Sequence, residues 1–580
     1  MEGGRAGLNT AQCETNSTEE PLSNQDWQQK LSQPTYPLLE ERNQPVAMRD
    51  GVRLACDVFR PDAAGKKFPA LLSMSLYGKD VQRISEFQRP LSPRHGNGGQ
   101  EAGDTRYFVN RGYAHIVADS RGAGDSEGEY NFQGKIEQND GYDLVEWIAK
   151  QPWCDGNVGM LGMSYFAVVQ NLVAAQQPPH LKAIAPYEAY TDRYRHSVYH
   201  GGIFNEGFFH QWWGHVSIGT LKPPIFKYYP EEEIRRRVAT LMKTQAIEDS
   251  PYLHIQLKYP EKNPLMFDFL VEPNDGPYYW ERSAYTMFDR IKIPVFLTGR
   301  WSAWSIHLPG AFQAWAGINA PKKMMLMDTI EDTGPRRPWR DHQDLILRWY
   351  DHWLKGNDTG MMNEPPIQLF VKGKNIWRDE YEWPLKRTQW TKYYLQPGGG
   401  LSTAQPGAAA TTAFTNEPYL MPRKPSPGLD FATPPLEKDL EITGPIALYL
   451  SAAIDRPEAT WFAIIKDKAP DGKTSVVTKG WLRASHRKLD PAKSKPYQPY
   501  HPHNERVPVP VNEVIEYAIE VREIAMVFQK GHQFQLQICG QDSQTEEPVW
   551  YHQCNEASTK HTLHLGGKNA SYILLPVIPG

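Results

Sequence analysis

The run Gly159-Met160-Leu161-Gly162-Met163-Ser164-Tyr165-Phe166-Ala167 constrains this chain more than any other stretch. It reads as a buried strand, a tight turn carrying one serine, and a helix continuing through Val168, Val169, Leu172 and Val173. A serine on such a turn is held on strained backbone with its hydroxyl exposed above a sheet, the arrangement of a nucleophile elbow. The first glycine of the usual Gly-x-Ser-x-Gly stands at Gly162, while Phe166 fills the place of the second and Ala167 follows. Alone, Gly-x-Ser-x-Phe is a weak signal, because a glycine two residues before a serine is common by chance.

The surroundings strengthen it. Gly112-Tyr113-Ala114-His115-Ile116-Val117-Ala118-Asp119 is an apolar strand ending in a carboxylate, and a glycine-rich loop, Ser120 to Gly128, follows. Asp140 to Ile148 then carries apolar residues at helical spacing. Strand, loop, helix, strand, serine turn and helix make a βαβα run, which implies a mostly parallel sheet. Ligands of such sheets bind beyond the carboxyl ends of the strands, where Ser164 would sit. The fold class expected is α/β, an α/β-hydrolase domain with further elements added.

Several separate motifs then resemble one known group. Met48-Arg49-Asp50-Gly51-Val52-Arg53-Leu54-Ala55-Cys56-Asp57-Val58-Phe59-Arg60-Pro61 is similar to the opening hairpin of the X-prolyl dipeptidyl aminopeptidase and cocaine esterase hydrolases. So are Asp119-x-Arg121-Gly122-x-Gly124-x-Ser126-x-Gly128, Gln151-Pro152-Trp153, Gly162-x-Ser164-Tyr165 and Asp351-His352-Trp353-Leu354-Lys355-Gly356. The resemblance continues through Arg483 to Arg487 and Gly531-His532, so it covers the chain from about residue 45 onward. It implies a helical cap inserted in the hydrolase domain and a carboxyl-terminal jelly roll.

Size and composition agree. At 580 residues the chain exceeds what one core supports, so two or three domains are expected. No run of about 18 apolar residues exists to span a bilayer, and a net charge of -4 marks neither a nucleic-acid partner nor a basic membrane patch. The five cysteines are odd in number and scattered, which suits a reducing compartment. With no basic-then-apolar leader at the amino terminus, a soluble, cytoplasmic protein is expected. A small-molecule substrate is the expected partner, with neither nucleic acid nor membrane, and a homodimer is compatible with the picture. No cofactor is expected: dinucleotide and phosphate-loop glycine patterns are missing, and no His-x-x-x-His or cysteine pair supplies metal ligands.

Along the chain, residues 1–35 are polar and expected to be disordered. Residues 36–190 form the first part of the hydrolase domain, 191–285 the helical cap, and 286–365 the second part. In the cap, aromatics crowd at Phe204, Phe208, Phe209, Trp212 and Trp213, ahead of a charged helix Glu231 to Lys243. Residues 366–580 carry short alternating strands such as Ile446 to Leu450 and Gln533 to Ile538, the pattern of a β-sandwich.

The resemblance also implies site residues. One oxyanion donor is the backbone N–H after the nucleophile, Tyr165; the other is a tyrosine hydroxyl, here Tyr77 in Ser75-Leu76-Tyr77-Gly78-Lys79, where Leu76 replaces the family's proline. The family's acid follows the next sheet strand in a Gly-Trp-x-Asp turn, but Gly299 to Gly310 holds no carboxylate. The family's histidine follows the last strand, but Met325 to Gly334 offers Asp328, Glu331 and Asp332 and no histidine. A rebuilt system would exchange the roles, with His307 as base and one of those acids, Asp328 first, as its orienter; His342 is a second candidate base. Phe166, Phe208, Trp212 and Trp304 are expected to bind substrate. Three functions follow from these residues: a serine esterase or amidase forming an acyl-enzyme on a small, fairly apolar substrate; a repurposed fold using the oxyanion hole for cyclisation, aldol-type or elimination chemistry; and a non-catalytic binder. Retention of Ser164, Tyr165 and Tyr77 disfavours the binder, and nothing readable marks a peptide's amino-terminal amine site.

Overall fold

The computed structural model describes residues 25–80, 82, 101–212, 230–241, 243–244, 264–328, 338–417, 428–543, 550–553 and 557–579. Among these described residues, twelve strands come before residue 381: β1 Leu38–Ala47, β2 Arg53–Pro61, β3 Phe68–Ser75, β4 Ala114–Asp119, β5 Cys154–Met160, β6 Leu181–Ile184, β7 Tyr199–His200, β8 Ile203–Phe204, β9 Val295–Arg300, β10 Lys322–Met327, β11 Ile367–Val371 and β12 Ile376–Glu380. Ten of them make one sheet in the order β1-β2-β4-β3-β5-β6-β9-β10-β11-β12. The run from β4 to β11 is parallel, with antiparallel strands at both edges. Every residue of β3 and β4 is buried, as expected of central parallel strands covered on both faces.

Helices Lys135–Ala149 and Tyr165–Ala174 cover one face of the sheet, and Pro338–Lys355 covers the other. The strand ends at Ser75, Met160, Ile184, Arg300 and Met327 all lie at one edge, so the loops that follow them meet there. Between β6 and β9 the chain builds a cap from the π-helical turn Tyr194–Val198, the β7–β8 hairpin and the helices Glu206–Trp212, Glu231–Leu241, Pro264–Val271 and Pro277–Glu281.

From Gln389 onward an antiparallel sheet of eleven strands folds into a sandwich around Trp461, Tyr517, Phe528 and Phe534. The alternating segments read from the sequence lie in its strands Leu440–Ile454 and Gln533–Cys539. Among the described residues no helix is long and apolar enough to cross a membrane.

Two expected boundaries shift. Residues 25–35 are not a loose leader: Trp27 and Leu31 are buried, and Ser32 donates from its N–H and hydroxyl to Asp351 at 2.6 and 2.7 Å. Asp351 and Lys355 of the Asp-His-Trp-Leu-Lys-Gly motif therefore tie the amino-terminal segment to the hydrolase domain, with Lys355 donating to Ser32 and to the Arg111 carbonyl. The sheet also passes residue 365, because Ile367, Leu369 and Val371 of β11 are buried beside β10 and β12 extends the edge to Glu380.

Candidate active site

Ser164 sits between β5 and helix Tyr165–Ala174 with φ 59° and ψ −115°, a conformation side chains seldom adopt. Two backbone bonds hold it, Ser164 N–H to the Tyr187 carbonyl at 3.0 Å and Met163 N–H to the Glu101 carbonyl at 2.8 Å. The strand-to-helix turn closes tightly enough that a Cβ on Gly162 would fall 2.3 Å from the Phe166 Cβ. Phe166, standing where the second glycine of the motif is usual, thus fits because Gly162 has no side chain.

A candidate base lies in the loop after β9. His307, at the amino-terminal cap of helix Leu308–Gly317, places Nε2 3.2 Å from Ser164 Oγ. Its Nδ1 lies 3.5 Å from Glu188 Oε2, in the loop after β6. A carboxylate beside Nδ1 fixes the ring proton there and leaves Nε2 to accept from the serine. The 3.5 Å spacing is long for a hydrogen bond, as is common before substrate closes a site. Glu188 is fully buried and also sits on left-handed backbone, φ 59°. Burial alone would raise its pKa, but Arg300, paired with it at the end of β9, and His307 together hold it down at about 2. Glu188 is therefore an anion throughout the neutral range.

Tyr165 and Tyr77 are the candidate oxyanion donors. Tyr165 occupies the first turn of its helix, where an N–H has no intrahelical acceptor. Its side chain is locked by donation to Glu137 at 2.8 to 2.9 Å and by Tyr130 at 2.7 Å. Tyr77 packs on Tyr165 and Phe166, and the Ser164 hydroxyl bears on its phenol. Burial raises the Tyr77 pKa well above its ordinary value, so the group keeps its proton. Trp212 Nε1–H donates to the Tyr77 oxygen at 3.0 Å, which turns the phenol's own proton elsewhere. The loop carrying Tyr77 is pinned by Lys79, whose N–H donates to Asp119 at 2.6 Å and whose ammonium donates to Asp125 at 2.7 Å.

The structure gathers Ser164, Tyr77, Tyr165, Phe166, Trp212 and His307, with Phe208 stacked on Trp212 at 6.1 Å. Asp328 is not the carboxylate at His307; it pairs with Lys372 at 3.2 Å. Phe208 stacks on Trp550, centroids 5.2 Å apart, and Trp304 packs on Trp481 at 5.7 Å, so both make these ring contacts with the carboxyl-terminal sandwich. Glu331, Asp332 and the His342 side chain lie outside the described residues. His115, between Ser73 and Thr105 at 2.8 and 2.9 Å, has its pKa lowered by burial to about 3 and is structural.

Comparison with known proteins places the chain in a family. Residues 50–330 match the X-Pro dipeptidyl-peptidase (S15 family), and residues 359–574 match the X-Pro dipeptidyl-peptidase C-terminal non-catalytic domain. The chain belongs to this family of α/β-hydrolases. It is 26% identical over 609 aligned positions to the cocaine esterase of Rhodococcus sp. (strain MB1 Bresler), covering 92% of this chain and 98% of that one. A solved CocE/NonD family hydrolase from Staphylococcus aureus superposes with a TM-score of 0.76 at 25% identity, covering 93% and 94% of the two chains. An α-amino acid ester hydrolase shares the fold, with a TM-score of 0.72 at 19% identity over 98% of this chain and 100% of that one.

Against the pattern that the sequence resemblance implies, the carboxylate and histidine found beside Ser164 each lie one strand nearer to it: Glu188 follows β6, where the pattern has an acid after β9, and His307 follows β9, where it has a histidine after β10. Because β5, β6, β9 and β10 are successive neighbours, the shift keeps both loops beside Ser164. Glu188 was missed from sequence; the only signal was an acid just past the apolar strand after the serine helix, in Ile184-Ala185-Pro186-Tyr187-Glu188.

Proposed function

We propose that this chain is a serine esterase or amidase that forms an acyl-enzyme at Ser164, with His307 as base, Glu188 as its orienting acid, and Tyr77 hydroxyl and Tyr165 N–H as oxyanion donors. The observation that carries the reading is the 3.2 Å contact between Ser164 Oγ and His307 Nε2 backed by buried, ionised Glu188. Ser164 attacks the substrate carbonyl as its proton passes to His307, and Glu188 stabilises the imidazolium that forms. The alkoxide takes the Tyr77 proton's hydrogen bond and the Tyr165 N–H. The imidazolium then protonates the leaving group, and water, activated by the same histidine, releases the acid.

An assembled base beside the serine favours acyl transfer over chemistry that uses the oxyanion donors alone. The aromatics around the serine (Tyr77, Tyr165, Phe166, Trp212) suit a small, largely apolar substrate, and the near full-length match to a cocaine esterase points the same way.

The test is covalent labelling. A fluorophosphonate probe is expected to label wild type, to fail on Ser164→Ala, and to react far more slowly with His307→Ala. Tyr77→Phe is expected to lower kcat about 10²- to 10³-fold while leaving the probe's target intact. Ester turnover that persists in Ser164→Ala would overturn the acyl-enzyme and restore the redirected reading.

A further inference from the structure

Arg193 is a buried guanidinium that no acid among the described residues neutralises. It immediately precedes the π-helical turn Tyr194–Val198 under the cap and is 3% exposed. Its Cζ lies 4.0 Å from the ring centroid of Phe132, 5.1 Å from those of Tyr190 and Phe269, and 5.7 Å from that of Phe209. Nη1 donates to the Tyr190 hydroxyl, whereas Nε and Nη2 have no acceptor. Among the described residues Arg193 belongs to no ion pair.

Arg195 supplies the contrast within the same turn. Also buried, it pairs with Asp192 at 3.0 Å and Asp275 at 2.8 Å and donates to the carbonyls of His501 and Pro502. The groups near Arg193 do not do this for it. Tyr190 donates to Gln133 at 2.5 Å and stays a neutral phenol, since burial raises its pKa in spite of Arg193. Glu137, the carboxylate that with Arg193 acts on Tyr130, is occupied by Ser120, Tyr165 and the Gln133 N–H.

Aromatic faces return only part of the hydration a cation loses, and two unsatisfied buried donors add to the cost. Such a cost is kept where a ligand completes the arrangement. The two free donors, Nε and Nη2, are the parallel pair along one edge of the guanidinium, the edge that grips a carboxylate through both oxygens. The place is next to the chemistry: Phe132 carries Arg193 on its ring and also touches Tyr165 at 6.1 Å and Trp212 at 5.9 Å. Trp212 is the donor to Tyr77.

We propose that Arg193 binds a carboxylate of the substrate, so that the esters or amides hydrolysed here are largely apolar molecules carrying one anionic group. This deepens, and rests on, the hydrolase reading above.

The experiment pairs charged and neutral acyl groups of equal length: para-nitrophenyl hydrogen succinate, glutarate and adipate against the butanoate, pentanoate and hexanoate. Wild type is expected to prefer at least one charged ester over its neutral match by about 10- to 100-fold in kcat/KM, the scale of a hydrogen-bonded charge pair. Arg193→Gln should collapse that ratio toward one, and Arg193→Lys should restore part of it. A second readout needs no turnover: free glutarate, succinate or adipate should raise the Tm of the Ser164→Ala protein and not that of Ser164→Ala with Arg193→Gln. If no ester is cleaved at all, the hydrolase reading falls while the Tm arm still judges the carboxylate site. Neutral esters preferred throughout the series, equal loss of both ester types in Arg193→Gln, or no Tm response to any of the three dicarboxylates would each overturn the proposal. Should Arg193→Gln fail to fold, the wild-type ratio and the Tm response decide it.

Discussion

Ser164 and Glu188 share an unusual backbone, φ 59° at both, and both are held there by sheet hydrogen bonds: Ser164 through Tyr187 and Glu188 through Thr298. Left-handed backbone at an ordinary residue costs on the order of 1–3 kcal/mol, so each is kept against a local preference and each aims its side chain at His307. Glu188 also stabilises the fold. Its carboxyl ionises at about 2 in the folded chain and at its ordinary value of 4.5 in the unfolded one. The unfolded chain therefore takes up a proton first as pH falls. The contribution, on the order of 3 kcal/mol, is complete above about pH 4.5 and is lost as pH drops toward 2. Glu188→Gln is expected to remove it, so the stability gap between variant and wild type, measured by urea unfolding, narrows as pH falls below 4.5. The same substitution should lower kcat about 10³- to 10⁴-fold, whereas Asp328→Asn, which faces Lys372, should stay within about threefold of wild type. An Asp328→Asn enzyme as crippled as Glu188→Gln would reverse the assignment. His307 was legible because it is the one histidine in a loop where the family resemblance puts the charge system. Glu188 was not, since a single sequence does not show which of many acids after a strand is buried against a histidine.

The strands and helices were more legible than their limits. Continuous apolar runs such as Ala70 to Leu72 and Ile116 to Ala118 can be little other than central strands, and the serine turn follows from Gly162. That glycine carries φ +137° and leaves 2.3 Å between its missing Cβ and Phe166. Gly162→Ala meets both a forbidden backbone and an occupied space, so it is expected to destabilise by about 3 kcal/mol or more, read as a lower urea midpoint with an unchanged m-value. Phe166→Gly is itself costly because Phe166 is buried, but by clearing the space it should make the combined loss smaller than the sum of the two single losses. Fully additive losses would mean that backbone strain alone decides the position. The boundaries failed for a different reason. Residues 25–35 look polar, yet two apolar side chains, Trp27 and Leu31, are enough to dock them once Asp351 accepts from Ser32. β11 and β12 follow a long helix and read as the start of the sandwich, but pairing with β10, not composition, decides their sheet.

At the level of the entire chain, the sandwich does more than follow the hydrolase domain, because it holds the cap that completes the oxyanion corner. Phe208 stacks on Trp550 with an interplanar angle of 6°, Gly207 N–H donates to the Tyr551 carbonyl at 2.9 Å, and Gln553 N–H donates to the Phe204 carbonyl at 2.9 Å. These contacts fix the helix Glu206–Trp212 at its start, and Trp212 at its end donates to Tyr77. A chain of contacts thus runs from Trp550 through the cap helix to Tyr77, the phenol proposed to receive the oxyanion. None of this was readable from sequence, where Phe208 and Trp212 looked alike as pocket aromatics and Trp550 stood more than 300 residues away. Trp550→Ala tests the connection. Loss of the stacked ring frees Phe208 and loosens the helix without touching Ser164 or His307. If the sandwich acts through Tyr77, kcat should fall by about tenfold, part of the roughly 10²-fold or greater loss from removing the donor itself, while KM changes little. Combining Trp550→Ala with Tyr77→Phe should then add almost nothing, because both act on one donor. A rise in KM at constant kcat would instead make Phe208 and Trp550 a wall of the substrate pocket, and fully additive losses would uncouple the sandwich from the oxyanion corner.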